Sequence, residues 1–269
     1  MESVIHLAYP LPGAAWAGSY AALLHTGDWV HAGEFRNSGG RRRDRHHDGS
    51  RPRGAQTAQA AGATEVIRVP CGVAALASAM TSASSSATLS LASGCVYVLT
   101  AGLPEVSQDL TIMGHGATLE RSYAPATEAF TILSVDAGSL TVNRLNFRNG
   151  RGAISVTVDG DLTVIGGTFN RNTATDGGAI YVNNSSSPDP QVSGATFTGN
   201  TATDAGGAIY SDCSNASINV DHSTFTGNKA ANEGGAIWEN GVSGSMTAST
   251  FRGNAAGSGG ALWLQGRFQ

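Results

Sequence analysis

The 269-residue sequence predicts an all-β solenoid, in which short strands of successive coils stack on one another. Three observations predict this class. There are 36 glycines and only 13% charged residues, a composition typical of turn-rich β structure. From residue 140 onward a motif returns every 22 to 28 residues, which indicates a stacked repeat. Within each copy apolar residues alternate with polar ones, as they do in strands.

Each copy contains a Phe strand followed by Asn, and then a Gly-Gly-Ala strand that ends in an aromatic residue. We expect equivalent residues to form columns, because stacked strands lie about 4.8 Å apart. Each buried Phe contributes about 1.5–3 kcal/mol, and only the stack can bury it. The Phe column is Phe147, Phe169, Phe197, Phe225 and Phe251, and the Asn column is Asn172, Asn200, Asn228 and Asn254.

Two further apolar columns precede the Phe column. An earlier coil is predicted at Leu110 and Ile112, with Ala117 in the Phe position. The first of the two columns lies five positions before each Phe and consists of Val142, Val164, Val192, Val220 and Met246. The second lies two positions earlier still and consists of Leu140, Leu162, Pro190, Ile218 and Gly244.

The Asn and Gly motifs allow a structural and a functional interpretation. Asn tolerates left-handed backbone and can bond a turn, and stacked amides can bond one another. Paired glycines permit a tight corner with positive φ. The functional alternative is a binding site. The sequence favours turn and core roles for both motifs.

The F-x-x-N and GGA(I/L) pairs resemble the repeats of chlamydial polymorphic outer membrane proteins. They also resemble bacterial secreted proteins of the pectin-lyase-like superfamily, whose N-terminal cap is similar to the segments that begin at Cys71, Cys95 and Thr111. The resemblance covers roughly residues 66–269. It implies a right-handed parallel β-helix with a short N-terminal α-helical cap, at the cell surface or secreted.

The sequence pattern itself also predicts a helical cap. Val73, Leu76, Ala77 and Met80 fall on one face of a short helix that ends at residues 84–86 and would cover the first coil. The resemblance supports a disulfide between Cys71 and Cys95, which would close a loop of about 25 residues and contribute about 3 kcal/mol. Cys213 would remain a thiol or pair with another chain.

The two ends of the chain depart from the repeat. Residues 1–63, with the basic run at 41–47, are predicted to be disordered or non-native. Residues 64–269 form the β-helix, which we expect to be truncated because no cap follows the last repeat. Phe251, Leu262 and Leu264 would then lie in an uncovered coil, which predicts fraying or end-to-end self-association.

Charge excludes one class of partner. Residues 61–269 hold 9 basic and 15 acidic residues, a net charge of −6, and Lys229 is the only lysine. Nucleic-acid binding depends on clustered Lys and Arg, so no nucleic-acid partner is expected. No apolar run is long enough for a transmembrane helix.

The sequence predicts a non-catalytic extracellular or surface-exposed protein, adhesin-like or a binding scaffold, that contacts a carbohydrate or a cell-surface protein. Aromatic residues follow each inward Ile or Leu, so alternation turns them outward. They could stack on sugars or a partner, or simply pack across coils. These residues are Tyr181, Tyr210, Trp238 and Trp263.

The alternative is a polysaccharide lyase or glycoside hydrolase of the same fold. A lyase needs a basic residue and carboxylates that hold Ca²⁺. Asp176 and Asp204 would stack roughly 5 Å apart and are the candidate Ca²⁺ ligands, with a solvated turn as the competing interpretation. The sequence identifies no catalytic pair, and no other cofactor is expected.

Overall fold

The structure, a computed structural model, describes residues 64–157, 159–183, 190–213 and 218–268. The predicted segment 1–63 therefore lies outside the described residues. The described residues contain one helix, α1, which spans Val73–Ser82. The strands of the described part are β1 (Val66–Val69), β2 (Ala87–Leu91), β3 (Val96–Leu99), β4 (Leu110–Met113), β5 (Thr118–Arg121), β6 (Leu133–Val135), β7 (Ser139–Asn143), β8 (Asn146–Arg148), β9 (Ile154–Thr157), β10 (Asp161–Ile165), β11 (Thr168–Asn170), β12 (Thr173–Ala174), β13 (Ile180–Asn183), β14 (Gln191–Ser193), β15 (Thr196–Thr198), β16 (Thr201–Ala202), β17 (Ile209–Asp212), β18 (Asn219–Asp221), β19 (Thr224–Thr226), β20 (Lys229–Ala230), β21 (Ile237–Thr247), β22 (Thr250–Arg252) and β23 (Leu262–Phe268).

The strands stack into parallel sheets along three faces of a coil. The first sheet has the order β1-β2-β4-β7-β10-β14-β18-β21, the second β22-β19-β15-β11-β8-β5-β3, and the third β6-β9-β13-β17-β21-β23. The eleven-residue β21 joins the third sheet to the first. Short strands β12, β16 and β20 stack between the second and third sheets. The chain is a right-handed parallel β-helix of about seven turns, which confirms the predicted fold class.

The core is a set of inward columns that run through the coils. Val164 pairs with Val142 on one side and Val192 on the other, in the first sheet. The same column continues through Val220 to Met246. In the third sheet Ile154, Ile180, Ile209 and Ile237 pair in sequence, and all four are fully buried. Each strand therefore contributes alternate residues to one continuous interior.

The prediction for the early coil is wrong at one position. Leu119, not Ala117, pairs with Phe147 and occupies the Phe position. The corner after Ile112 is two residues longer than the corner after Val142, and it includes His115 and Gly116 at positive φ. The two extra residues move the inward Phe position of the next strand from residue 117 to residue 119.

Helix α1 packs against β1 and β3 at the N-terminal end of the coil. Its buried residues are Leu76, Ala79 and Met80, whereas Ala77, predicted to face the coil, is only half-buried. A disulfide joins Cys71 to Cys95, with the Cα atoms 5.7 Å apart, and so ties the start of α1 to the residue before β3. Cys213 is buried, and its Sγ lies 3.6 Å from Ser211 Oγ.

Phe251, Leu262 and Leu264 in the last described coil are half-buried. End-to-end association through this coil stays a prediction. No helix of the described chain has the length and apolar character needed to cross a membrane.

Candidate functional site

The Phe column lies inside the coil and serves packing. Neighbouring rings are stacked with centroids 4.6 to 5.0 Å apart, close to the spacing of the strands themselves. Phe147, Phe169, Phe197 and Phe225 are fully buried, and Phe251 is half-buried. No face of the four buried rings is accessible to a ligand.

The Asn column forms a ladder of amides beside the Phe column, here called the Asn ladder (Asn172, Asn200, Asn228 and Asn254). Asn200 Nδ2 donates to Asn228 Oδ1 at 2.9 Å and to Phe169 O at 3.0 Å. The Asn228 Oδ1 atom also accepts from the backbone N–H of Asn200 at 3.0 Å. The first three amides of the ladder are fully buried. These amides bond one another and backbone groups of the fold, so the Asn ladder is structural.

In the corner that follows each Phe strand, the residue with left-handed backbone is not the Asn. It is the residue immediately before it, which is Arg171 at φ 53° and Gly199 at φ 60° in two successive coils. The Asn side chain bonds the neighbouring coil instead. The expectation that Asn supplies the left-handed turn is therefore wrong for these coils.

The paired glycines meet two different steric demands. Gly206 has φ 64°, and a Cβ there would collide with the backbone of Ile209 and Tyr210. Gly207 has no positive φ, but a Cβ there would collide with Gly235 O and with the backbone of Lys229 in the next coil. The first glycine thus allows the turn and the second allows two coils to approach each other.

The outward aromatic residues form a continuous stack on the outer face of the third sheet. We call them the aromatic ladder (Tyr181, Tyr210, Trp238 and Trp263). Ring centroids are 5.3, 4.3 and 5.0 Å apart along the ladder, and the planes of neighbouring rings differ by 8° or less. All four side chains are half-buried.

This stacking determines what the ladder can contact. Tyr210 and Trp238 each have both ring faces covered by neighbouring rings, so only their edges are open to a ligand. The ladder begins at Tyr181 because Ser155 holds the equivalent position in the preceding coil. A depression of about 310 Å³ lies there, and its lining includes Thr131, Arg151, Ser155, Asp176 and Tyr181.

Carboxylate and amide groups border the aromatic ladder on both sides. Glu233 Oε2 accepts the indole N–H of Trp238 at 2.9 Å. On the opposite border Asn240 Nδ2 donates to Asp212 Oδ1 at 2.9 Å. Burial, followed by the negative charges of Asp212 and Asp176, raises the pKa of the Tyr210 hydroxyl. The face therefore combines aromatic edges with hydrogen-bonding groups of predominantly negative charge.

Asp176 and Asp204, the candidate Ca²⁺ ligands, lie in the turns before the third sheet. Asp176 Oδ1 accepts the N–H of Ala205 at 3.1 Å, and Asp204 Oδ1 accepts from Asn232 Nδ2 at 2.6 Å. Burial raises the pKa of Asp176, with a smaller contribution from the charge of Asp204. Within the described ranges no group of three or more His, Cys, Asp or Glu side chains is placed to hold a metal. A Ca²⁺ site here stays a prediction.

One buried polar pair was not predicted from the sequence. Ser211 and Glu239 pair in adjacent coils of the third sheet and are both fully buried. The backbone N–H of Ile218 donates to Glu239 Oε1 at 3.4 Å. Strand alternation was the signal that could have found them, because each lies two residues after an inward Ile.

The fold and this face define the class: a parallel β-solenoid that presents one bordered aromatic ladder on its outside. Residues 110–258, more than half of the chain, match the family model described as right handed beta helix region, and the chain belongs to this family. No curated protein and no solved structure matches the chain.

Proposed function

We propose that this chain is a non-catalytic binding scaffold outside the cell, adhesin-like, and that it contacts its ligand through the outer face of the third sheet. One observation carries the proposal: four half-exposed aromatic rings in register, with the Glu233 carboxylate on one border and the Asn240–Asp212 amide–carboxylate pair on the other. Aromatic residues with hydrogen-bonding neighbours are enriched in recognition surfaces.

The ligand class that fits best is carbohydrate or a cell-surface protein. Sugar hydroxyls both donate and accept hydrogen bonds, and the borders supply amide donors such as Asn240 and carboxylate acceptors such as Asp212. The disulfide between Cys71 and Cys95 supports a location outside the cytoplasm, because such bonds persist in oxidising compartments.

A non-catalytic role is supported by how the candidate lyase residues are engaged. The Oδ1 atoms of Asp176 and Asp204 already accept hydrogen bonds from the protein itself. Arg151 is the one basic residue among the described residues that line the depression, and the Asp176 carboxylate in the same lining offsets its attraction for an acidic polysaccharide.

The test is binding of the purified chain to arrays of immobilised polysaccharides and cell-surface proteins. Asp212→Arg places a bulky cation on the proposed face, and Thr198→Arg places the same group on the outer face of the second sheet as the matched control. We expect Asp212→Arg to lower binding about tenfold or more and Thr198→Arg to leave it unchanged, with both variants melting like the parent.

Equal binding by the two variants would show that the third sheet is not the contact surface. Incubation with polygalacturonate and alginate, with and without Ca²⁺, tests the alternative function. Chain cleavage that is lost in Asp176→Asn would replace the scaffold proposal with a lyase.

A further inference from the structure

We propose that the ring face of Tyr181 not covered by Tyr210 stacks against one ring of a neutral sugar, held in the depression beside Arg151 and Asp176. This inference rests on the proposed function and deepens it, because it names the ligand class and the place where binding is anchored.

The end of the aromatic ladder differs from its middle. Tyr210 covers one face of Tyr181, with the ring centroids 5.3 Å apart and the planes 8° from parallel. In the preceding coil Ser155 stands in the equivalent position, and a serine has no ring to cover the second face. Tyr181 is therefore the tyrosine of the ladder with a ring face turned toward open space instead of toward another ring.

The depression itself arises from unequal coil lengths. The N–H of Gly152 donates to Thr173 O, and the N–H of the next residue, Ala153, donates to Ala179 O. Two consecutive residues of one coil thus face residues six positions apart in the next coil, which makes a turn between them. Six residues separate Phe147 from Ile154 and ten separate Phe169 from Ile180, so the turn at 174–178 makes this part of the coil four residues longer than in the preceding one. Residues of this turn and Ser155 together line a space of about 310 Å³, at the lower end of the range for ligand sites.

The groups around this space are those that recognise hydroxyls. Arg151 supplies guanidinium donors, and Asp176 supplies an acceptor in Oδ2, the carboxylate oxygen that does not bond Ala205; both side chains line the depression with Ser155 and Thr175. An apolar ring face between such donors and acceptors matches a pyranose, which has C–H groups on its faces and hydroxyls around its edge.

Charge selects a neutral sugar over an acidic one. The Asp176 carboxyl is half-buried, and burial together with the charge of Asp204 raises its pKa. A uronate carboxylate would gain the attraction of Arg151 but would be repelled by Asp176 in the same lining, so the depression offers it no net attraction. A neutral hexose or pentose avoids that repulsion.

The experiment is isothermal titration of the full chain with neutral xylo-, cello- and manno-oligosaccharides, with oligogalacturonate and with oligoglucosamine. Tyr181→Ser repeats in this coil the residue of the preceding one. We expect it to lower affinity for the neutral sugar about tenfold, whereas Tyr181→Phe, which keeps the ring, stays within about threefold of the parent.

Arg151→Ala and Arg148→Ala form the second comparison. Arg148 lies on the second sheet, where it forms an ion pair with Glu120. Arg148→Ala therefore removes the same charge as Arg151→Ala without changing the depression. We expect a loss of affinity only for Arg151→Ala. Thermal melting of each variant separates loss of binding from loss of folding.

Each of the following results would overturn the inference. Tyr181→Ser binding as well as the parent, or oligogalacturonate or oligoglucosamine binding more tightly than every neutral sugar, would refute it. If sugar binding is lost in Asp212→Arg but kept in Tyr181→Ser, the subsite is wrong while the proposed function stands. If the parent binds no sugar here and no partner on the arrays, both proposals fail.

Discussion

Asn200 Oδ1 accepts two hydrogen bonds from Asn172 of the preceding coil, from its backbone N–H at 3.0 Å and from its side-chain Nδ2 at 3.1 Å. One amide oxygen thus satisfies two buried donors 28 residues earlier in the chain. The same arrangement recurs between Asn200 and Asn228, so the coils are linked by side chains as well as by strands.

Asn200→Ala should destabilise the chain by about 2–4 kcal/mol, since two buried donors of Asn172 lose their acceptor. Asn254→Ala is the matched control, because Asn254 Oδ1 accepts the corresponding two hydrogen bonds from Asn228 at a half-buried position that water can reach. We expect it to cost about 1 kcal/mol less. Denaturant unfolding measures both, and equal losses would contradict a special role for burial.

Phe197→Ala should cost about 3–5 kcal/mol, because the ring is fully buried between Phe169 and Phe225. Phe251→Ala, at the half-buried end of the column, should cost less. The measurement is again the free energy of unfolding. A Phe197→Ala protein as stable as the parent would mean that this register is wrong.

Gly207→Ala should destabilise the fold by about 3 kcal/mol, because the added Cβ would collide with Gly235 O and the backbone of Lys229. Gly227→Ala is the comparison. Gly227 has φ 63° but open space around it, so only backbone strain of about 1 kcal/mol is expected. If Gly227→Ala proved the more damaging of the two, close approach between coils would not explain the second glycine.

Asp176→Asn should raise the melting temperature at pH 7. The pKa of Asp176 is raised in the folded chain by burial, so ionisation costs the folded state more than the unfolded one. That cost is present above the folded pKa and disappears as the pH falls below the ordinary value of 3.8. The advantage of the variant should therefore vanish in acid. Asp159→Asn, at an exposed position, controls for the lost charge, and a gain that persisted in acid would count against burial as the cause.

Reduction of the disulfide between Cys71 and Cys95 should loosen the cap before the central coils. The bond spans 24 positions and ties α1 to β3, and loss of such a loop costs about 3 kcal/mol. Hydrogen exchange should rise first around residues 71–100. A Cys71→Ser chain with unchanged protection there would show that α1 is held by packing alone.

Local patterns in the sequence predict the coil, its inward columns and the outward position of the aromatic residues. A two-residue alternation within each copy and a nearly constant distance between copies are local properties, and stacking follows from them because a single coil cannot bury its own apolar face. Phe169 and Phe197 could therefore be placed side by side from their numbers alone.

The positions where that regularity breaks are visible only in the folded chain. Leu119 replaces Ala117 in the Phe position because one corner is longer, and the depression beside Tyr181 exists because the turn at 174–178 is longer than the corresponding segment of the preceding coil. Extra residues of a corner can lie anywhere along it, so a sequence pattern does not show which strand positions they shift. Only the stacking of unequal coils shows that Tyr210 has both ring faces covered while Tyr181 keeps one face open.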